Sequence, residues 1–235
     1  TDTSNGTVVT SFSELTAAVT KAEKAGGGIV YVKGSSISCT AQLALKASNA
    51  NVSIIGVKNS DGTYPVLDFS AFRSAYIGKA TTDSEVGIRI SGSNYTIKNL
   101  IIQKAPDNGI QIKGSSAGNN TIENCIVRYN NDAGVQITGG AYSNTMRFVY
   151  SYRNCDVYTL GGNADGFAPK LGAGKGNVFY GCYSWENSDD GWDSYDKDSL
   201  TYNLTYTNCA CWNNGDPTIS VSYTHLRAHE TRSNL

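Results

Sequence analysis

Five stretches of the chain share one rhythm of apolar and polar positions: TIKNLII (96–102), TIENCIV (121–127), TMRFVYS (145–151), VFYGCYS (178–184) and TYTNCAC (205–211). Alternation over so few residues predicts short β-strands. Interleaved with them are four steps ending in glycine: Asn108-Gly109, Ala133-Gly134, Asp165-Gly166 and Asp190-Gly191. The glycines stand 25, 32 and 25 residues apart. From about residue 87 onward the chain therefore repeats with the period of a solenoid, several strands to the unit. The longer middle interval places an extra loop around Asn154 to Asn163.

The register supports stacking. Leu100, Cys125, Val149, Cys182 and Cys209 fall at one position of the repeat. They read as an inward apolar column, with the cysteines as buried fillers rather than disulfide partners. Five residues beyond four of them come Asn130, Asn154, Asn187 and Asn214, placed to hydrogen-bond their own backbone and stacked neighbours. Tyr129, Tyr152, Trp185 and Trp212 read as packing rather than sugar platforms. Ahead of the repeats, residues 11–25 predict a helix: Ser11 and Glu14 fit a capping box, Leu15, Ala18, Val19 and Ala22 recur at helical spacing, and Gly26-Gly27-Gly28 stops it. Ile29–Val32 follows as a strand. The expectation is an all-β, right-handed parallel β-helix (solenoid) over residues 1–220, with a short N-terminal capping helix over an open sheet end. Its coils would stack about 4.8 Å apart.

Composition agrees with turns and strands. Among 235 residues there are 25 glycines, 4 prolines and 15 tyrosines, and only 17% are charged. A formal net charge of −1 gives no field that would draw in nucleic acid or an anionic membrane, and no apolar run approaches a membrane span. The opening TDTSNGT is polar and carries no signal peptide. Val221 to Leu235 is set aside, because VSYTHLRAHET resembles a transposase sequencing adapter translated in one frame; the natural part is expected to stop near Ser220. Both histidines, His225 and His229, fall in that tail. Histidine-dependent nucleophilic and metal chemistry is thereby excluded from residues 1–220.

The candidate chemistry lies between Asn163 and Asp196. Asp165 sits in NADGFAPK, and Asp189, Asp190 and Asp193 sit in ENSDDGWDSYD. Because Asp165 and Asp190 share a register, adjacent coils should set them one above the other. Carboxylates so concentrated repel unless a cation or shared proton offsets the repulsion, and an all-oxygen donor set suits calcium better than magnesium. Aspartates before glycine are also common turn residues. Two stacked pairs with two further aspartates favour the metal site.

These two acidic motifs resemble the signature of family 9 polysaccharide lyases, the pectate lyases of the parallel β-helix class. The resemblance spans about Asn94 to Asn214. It implies that Asp165, Asp189, Asp190 and Asp193 bind a catalytic Ca²⁺, that the substrate is an acidic polysaccharide such as polygalacturonate (pectate), and that cleavage is by β-elimination. It also implies a secreted protein, and a monomer is expected. The family's base is a lysine in a later G-F-K motif, absent before Ser220. No catalytic residue is assigned, and Lys170 and Lys175 read as surface charges. A chain ending there is expected to bind calcium weakly, to cleave little and to leave an unpaired edge. Two other readings remain. One is a polygalacturonase-like inverting hydrolase using the aspartates as acid and base. The other is a non-catalytic β-helix adhesin or carbohydrate-binding protein.

Overall fold

The computed structural model describes residues 2–76, 79–157, 159, 161–196 and 202–215. The set-aside tail, 221–235, lies outside them. A helix, α1 (Phe12–Lys24), follows the first strand of the solenoid; Ser11 is its N-cap and accepts from the Glu14 N–H. Its C-terminal turn ends with Gly27 N–H donating to Ala22 at 2.9 Å while Gly26 takes φ 77°. Leu15, Ala18 and Val19 bury its apolar stripe in the core.

Among the described residues every strand pair is parallel, so each coil climbs over the last. The coil has three faces. The first carries Thr7–Val9, Gly28–Val32, Val52–Gly56, Tyr95–Lys98, the opening halves of Thr121–Arg128 and Thr145–Tyr152, then Val178–Tyr180 and Thr205–Thr207. The second carries Ser36–Ser38, Val66–Asp68, Ile101–Gln103, the closing halves of the same two long strands, Tyr183–Trp185 and Ala210–Trp212. The third is a separate five-stranded sheet: Leu43–Leu45, Ile88–Ile90, Ile110–Lys113, Val135–Thr138 and Phe167–Pro169. A residue with positive φ makes the bend between first and second faces, Asn124 at 50° and Phe148 at 53°.

Stacking begins earlier than the repeat suggests. Val30 pairs with Ile54 and Ile54 with Ile97, so residues from Thr7 onward already belong to the solenoid. The predicted inward column is present as far as Cys182: Cys125 pairs with Val149, and Leu100, Cys125, Val149 and Cys182 are each at most 1% exposed, whereas Cys209, on the last described coil, is only partly buried. Cys39, Cys125, Cys182 and Cys209 are free thiols. Burial raises the Cys125 and Cys182 thiols to about 12, which keeps them protonated and inert.

The asparagine column forms a ladder. Asn130 N–H donates to Asn154 Oδ1 at 3.1 Å, Asn154 N–H to Asn187 at 3.1 Å, and Asn187 N–H to Asn214 at 3.2 Å. A second ladder joins Asn120, Asn144 and Asn177 at 3.1 and 3.0 Å. Buried backbone donors at two corners of the coil are satisfied this way. On the outside of the second face Tyr152, Trp185 and Trp212 stack, with ring centroids 4.4 and 5.1 Å apart. These rings pack on one another, as expected.

Candidate metal centre

The glycine step is a steric requirement. It turns the chain from the second face to the third, closely against the neighbouring strand. A Cβ on Gly166 would fall on Ser184 Oγ, and one on Gly134 on Ser151 Oγ. Backbone bonds tie one step to the next: Gly134 N–H to Asp165 O and Gly166 N–H to Asp190 O, both 2.9 Å. Asp165 and Asp190 therefore stack in register. The following residues enter the third face, where Phe167 bridges to Trp192 and the two rings stack at 4.7 Å. That bridge puts Asp193 beside Ala168, on the outer surface.

Carboxylate oxygens of Asp165, Asp190 and Asp193 all come within 4.8 Å of one another. Asp165 is fully buried and Asp190 is 7% exposed. Asp165 Oδ1 accepts from the Asp190 N–H at 3.1 Å, which fixes its carboxylate across the gap between coils. Asp189 is not in this group of three. Its carboxylate accepts from the Asn163 N–H at 2.8 Å, because neighbouring residues in extended chain project oppositely. It still acts on the site through charge, adding to the pressure on Asp165.

Lys170 corrects the expectation of a surface charge. It is 8% exposed, and its ammonium donates to Asp165 Oδ2 at 2.9 Å and to Asp193 Oδ2 at 2.7 Å. It lies five positions after Asp165, and the outward alternation of the third face returns it to the carboxylates. Lys175 is exposed as expected, its ammonium lying 4.9 Å from the Tyr202 ring centroid. Burial disfavours the Lys170 charge, but Asp165 and Asp193 more than offset this and hold its proton well above the ordinary lysine range. Burial pushes Asp165 up to about 8, with Lys170 pulling the other way and the charges of Asp193 and Asp189 adding to the rise.

The donor set fits calcium. Three carboxylates converge within ligand reach of one another, every donor is a hard oxygen, and a cation already bridges two of them. The separation is tighter than the roughly 6.5–9.5 Å an inverting carboxylate pair needs to admit water.

One acidic feature was not anticipated. Asp107 and Asp132 hold the same position of the repeat as Asp189, two residues before the glycine. Burial raises both; the charges of Asp156 and Asp83 add to the rise at Asp107, and that of Asp107 to the rise at Asp132, which stands well above the usual range, with Lys170 opposing and Asp165 reinforcing. The signal was legible as Asp-x-Gly at both steps.

The architecture is that of the right-handed parallel β-helix proteins, here with a carboxylate cluster at one corner of adjacent coils. Residues 1–225 match the family described as Pel9A-like, right handed beta helix region, and the chain belongs to that family. A pectate lyase L of Paenibacillus polymyxa (strain SC2) is 35% identical over 181 residues, 74% of this chain and 38% of that protein. A pectate lyase L of Dickeya chrysanthemi is 32% identical over 60% of this chain and 27% of its own length. The solved structure of pectate lyase Pel9A superposes with a TM-score of 0.67 at 28% identity, covering 87% of this chain and 48% of that one. The chain thus spans well under half the length of the curated relatives it matches. No helix among the described residues is long and apolar enough to cross a membrane.

Proposed function

We propose that this chain carries the calcium site of a secreted pectate lyase that cleaves polygalacturonate by β-elimination. The observation that carries the reading is the convergence of the Asp165, Asp190 and Asp193 carboxylates, two of which already hold the buried Lys170 ammonium. These three would hold Ca²⁺, with Asp189 beside them. When bound, the ion neutralises a uronate carboxylate and so acidifies the hydrogen on the adjacent ring carbon.

The chain's own residues prepare that event. Asp190 N–H orients the Asp165 carboxylate. Tyr195 N–H, at 2.9 Å from Asp193 Oδ1, does the same for Asp193. Lys170 balances part of the negative charge, so an acidic substrate meets a less repulsive surface. While both carboxylates hold it, Lys170 keeps its proton and is not the base. The family resemblance implies a lysine base in a G-F-K motif; residues 1–220 contain no such motif, and none of the described residues is assigned that role.

Calorimetric binding of polygalacturonate, with calcium and with a chelator, tests the reading. Ultraviolet detection of unsaturated product reports any turnover. Binding that depends on calcium is expected. Binding or cleavage indifferent to the chelator would instead favour the hydrolase or the adhesin.

A further inference from the structure

The outer surface of the third face continues away from the acidic cluster toward the earlier coils. Its outward column runs Ala168, Gln136, Gln111, Arg89, paired rung by rung. Arg89 is therefore three interstrand steps from the Ala168 rung, roughly 14 Å. Lys113, two residues beyond Gln111, also faces outward. These side chains hold a carboxylate from a preceding segment, Asp83, whose charge also reaches Asp107. Asp83 accepts from Lys113 Nζ at 2.6 Å and Gln111 Nε2 at 3.0 Å, and pairs with Arg89 at 3.3 Å. Burial works against its charge, yet donation from Lys113 and Gln111 and the nearby cations hold it below the ordinary carboxylate range.

This basic patch is more than Asp83 uses. Arg89 Nε–H and Gln111 Oε1 are buried and find no partner among the described residues, and Gln111 is only 3% exposed. Orphaned buried groups of this kind cost free energy unless a partner arrives. One orphan is a cationic donor and the other an acceptor. A uronate sugar offers the complementary pair, a carboxylate for the guanidinium and a ring hydroxyl for the amide oxygen.

We infer that Arg89, Gln111 and Lys113 form a uronate-binding subsite about three rungs from the acidic cluster, with Asp83 standing in for the sugar carboxylate in the substrate-free chain. The inference rests on the acidic-polysaccharide reading above. A polysaccharide lying along the third face would meet two anchors. One is a carboxylate bridged by metal at Asp165–Asp193. The other is a carboxylate held directly by arginine and lysine, for which Asp83 must withdraw. Substrates too short to span both would lose the second anchor.

Calorimetry with calcium present and galacturonate oligomers of two and six sugars tests this. Arg89→Gln and Lys113→Gln should each weaken the six-sugar ligand about fivefold or more and leave the two-sugar ligand unchanged. Asp83→Asn should tighten the six-sugar ligand about threefold or more. A fully methyl-esterified hexamer should not distinguish the variants. Circular dichroism checks that each variant folds, and Lys113→Gln leaves the backbone bonds of the Asp83 segment in place. If Arg89→Gln and Lys113→Gln leave hexamer affinity unchanged, or alter both lengths alike, Asp83 is only a latch for its own segment and the inference fails. If the same Arg89 and Lys113 dependence appears with a different uronan and not with galacturonate, the subsite stands and the pectate reading falls. Failure to bind any acidic oligomer overturns both.

Discussion

The Lys170 ammonium lies between Asp165 Oδ2, at 2.9 Å, and Asp193 Oδ2, at 2.7 Å, joining carboxylates from two successive coils. All three side chains are nearly withdrawn from solvent, at 10, 1 and 14% exposed. Removing one partner of such a buried set leaves uncompensated charge, which costs about 3–5 kcal/mol. Lys170→Gln should therefore lower the stability of the calcium-free chain by that order in urea unfolding. It should also enlarge the thermal shift on adding calcium, since one positive charge no longer opposes the metal. An unchanged melting temperature together with an unchanged calcium shift would show that the ammonium balances nothing.

Calcium itself should stabilise the fold, because the cluster exists only when two coils are stacked. A ligand at one hundred times its dissociation constant contributes about 2.7 kcal/mol, which for a chain of this size is a rise of roughly 5–10 °C. Asp193→Ala should abolish the rise. Asp189→Asn should reduce it less, since that carboxylate is directed at the Asn163 N–H rather than into the group of three. Differential scanning fluorimetry with calcium, magnesium and chelator measures all of these. An equal loss from both variants would bring Asp189 into the coordination shell.

Much of this architecture was legible because stacking imposes a period. The column Leu100, Cys125, Val149, Cys182 and the ladder Asn130, Asn154, Asn187, Asn214 each need one residue type at one interval, so counting finds them. The coils from Thr7 to Ile90 escape such counting. They stack through Val30, Ile54 and Ile97 but lack the ladder asparagines, and the glycine step reaches back into them at Gly87, in register with Gly109, where no aspartate or asparagine precedes it to mark it. The ladder Asn120, Asn144, Asn177 was present at intervals of 24 and 33 residues and could have been found the same way. The acidic site was readable because Asp165 and Asp190 share a register. Lys170 was not, because the burial of a lysine depends on which coil closes over it. Asp189 divided from its neighbours through plain strand alternation, a constraint that four clustered aspartates do not announce.

Asp132 offers a test by pH. Burial and the charge of Asp107 raise its carboxyl well above the usual value, with Lys170 opposing and Asp165 reinforcing. A raised carboxyl favours the protonated form in the folded chain. The folded state then binds more protons than the unfolded one above pH about 4, and stability falls as pH rises through that window toward the folded value. Asp132→Asn removes the titrating group. It should raise the calcium-free melting temperature at pH 7 by about 2–4 °C and flatten the decline from pH 4 upward. A steeper decline in the variant would mean that the Asp132 charge is stabilising and the sign is wrong.

Gly166 separates sterics from chemistry at the same corner. A methyl group there would fall on Ser184 Oγ and lie 2.9 Å from Asn187 Nδ2, a rung of the asparagine ladder. Neither is a loose surface group: Ser184 Oγ accepts from Asn187 Nδ2 at 2.9 Å, and both residues are fully buried. The backbone cannot retreat, because Gly166 N–H is bonded to Asp190 and its carbonyl accepts from Ser151 Oγ at 2.7 Å. Overpacking of this kind costs about 1–3 kcal/mol, so Gly166→Ala should unfold at lower urea. It should also weaken calcium binding, because Asp165 is the adjacent residue. Combining it with Ser184→Gly removes the colliding hydroxyl and should recover part of both losses, a coupling that a double-mutant cycle reads directly. Strictly additive losses would place the penalty in the backbone of the step instead of in its contact with the second face.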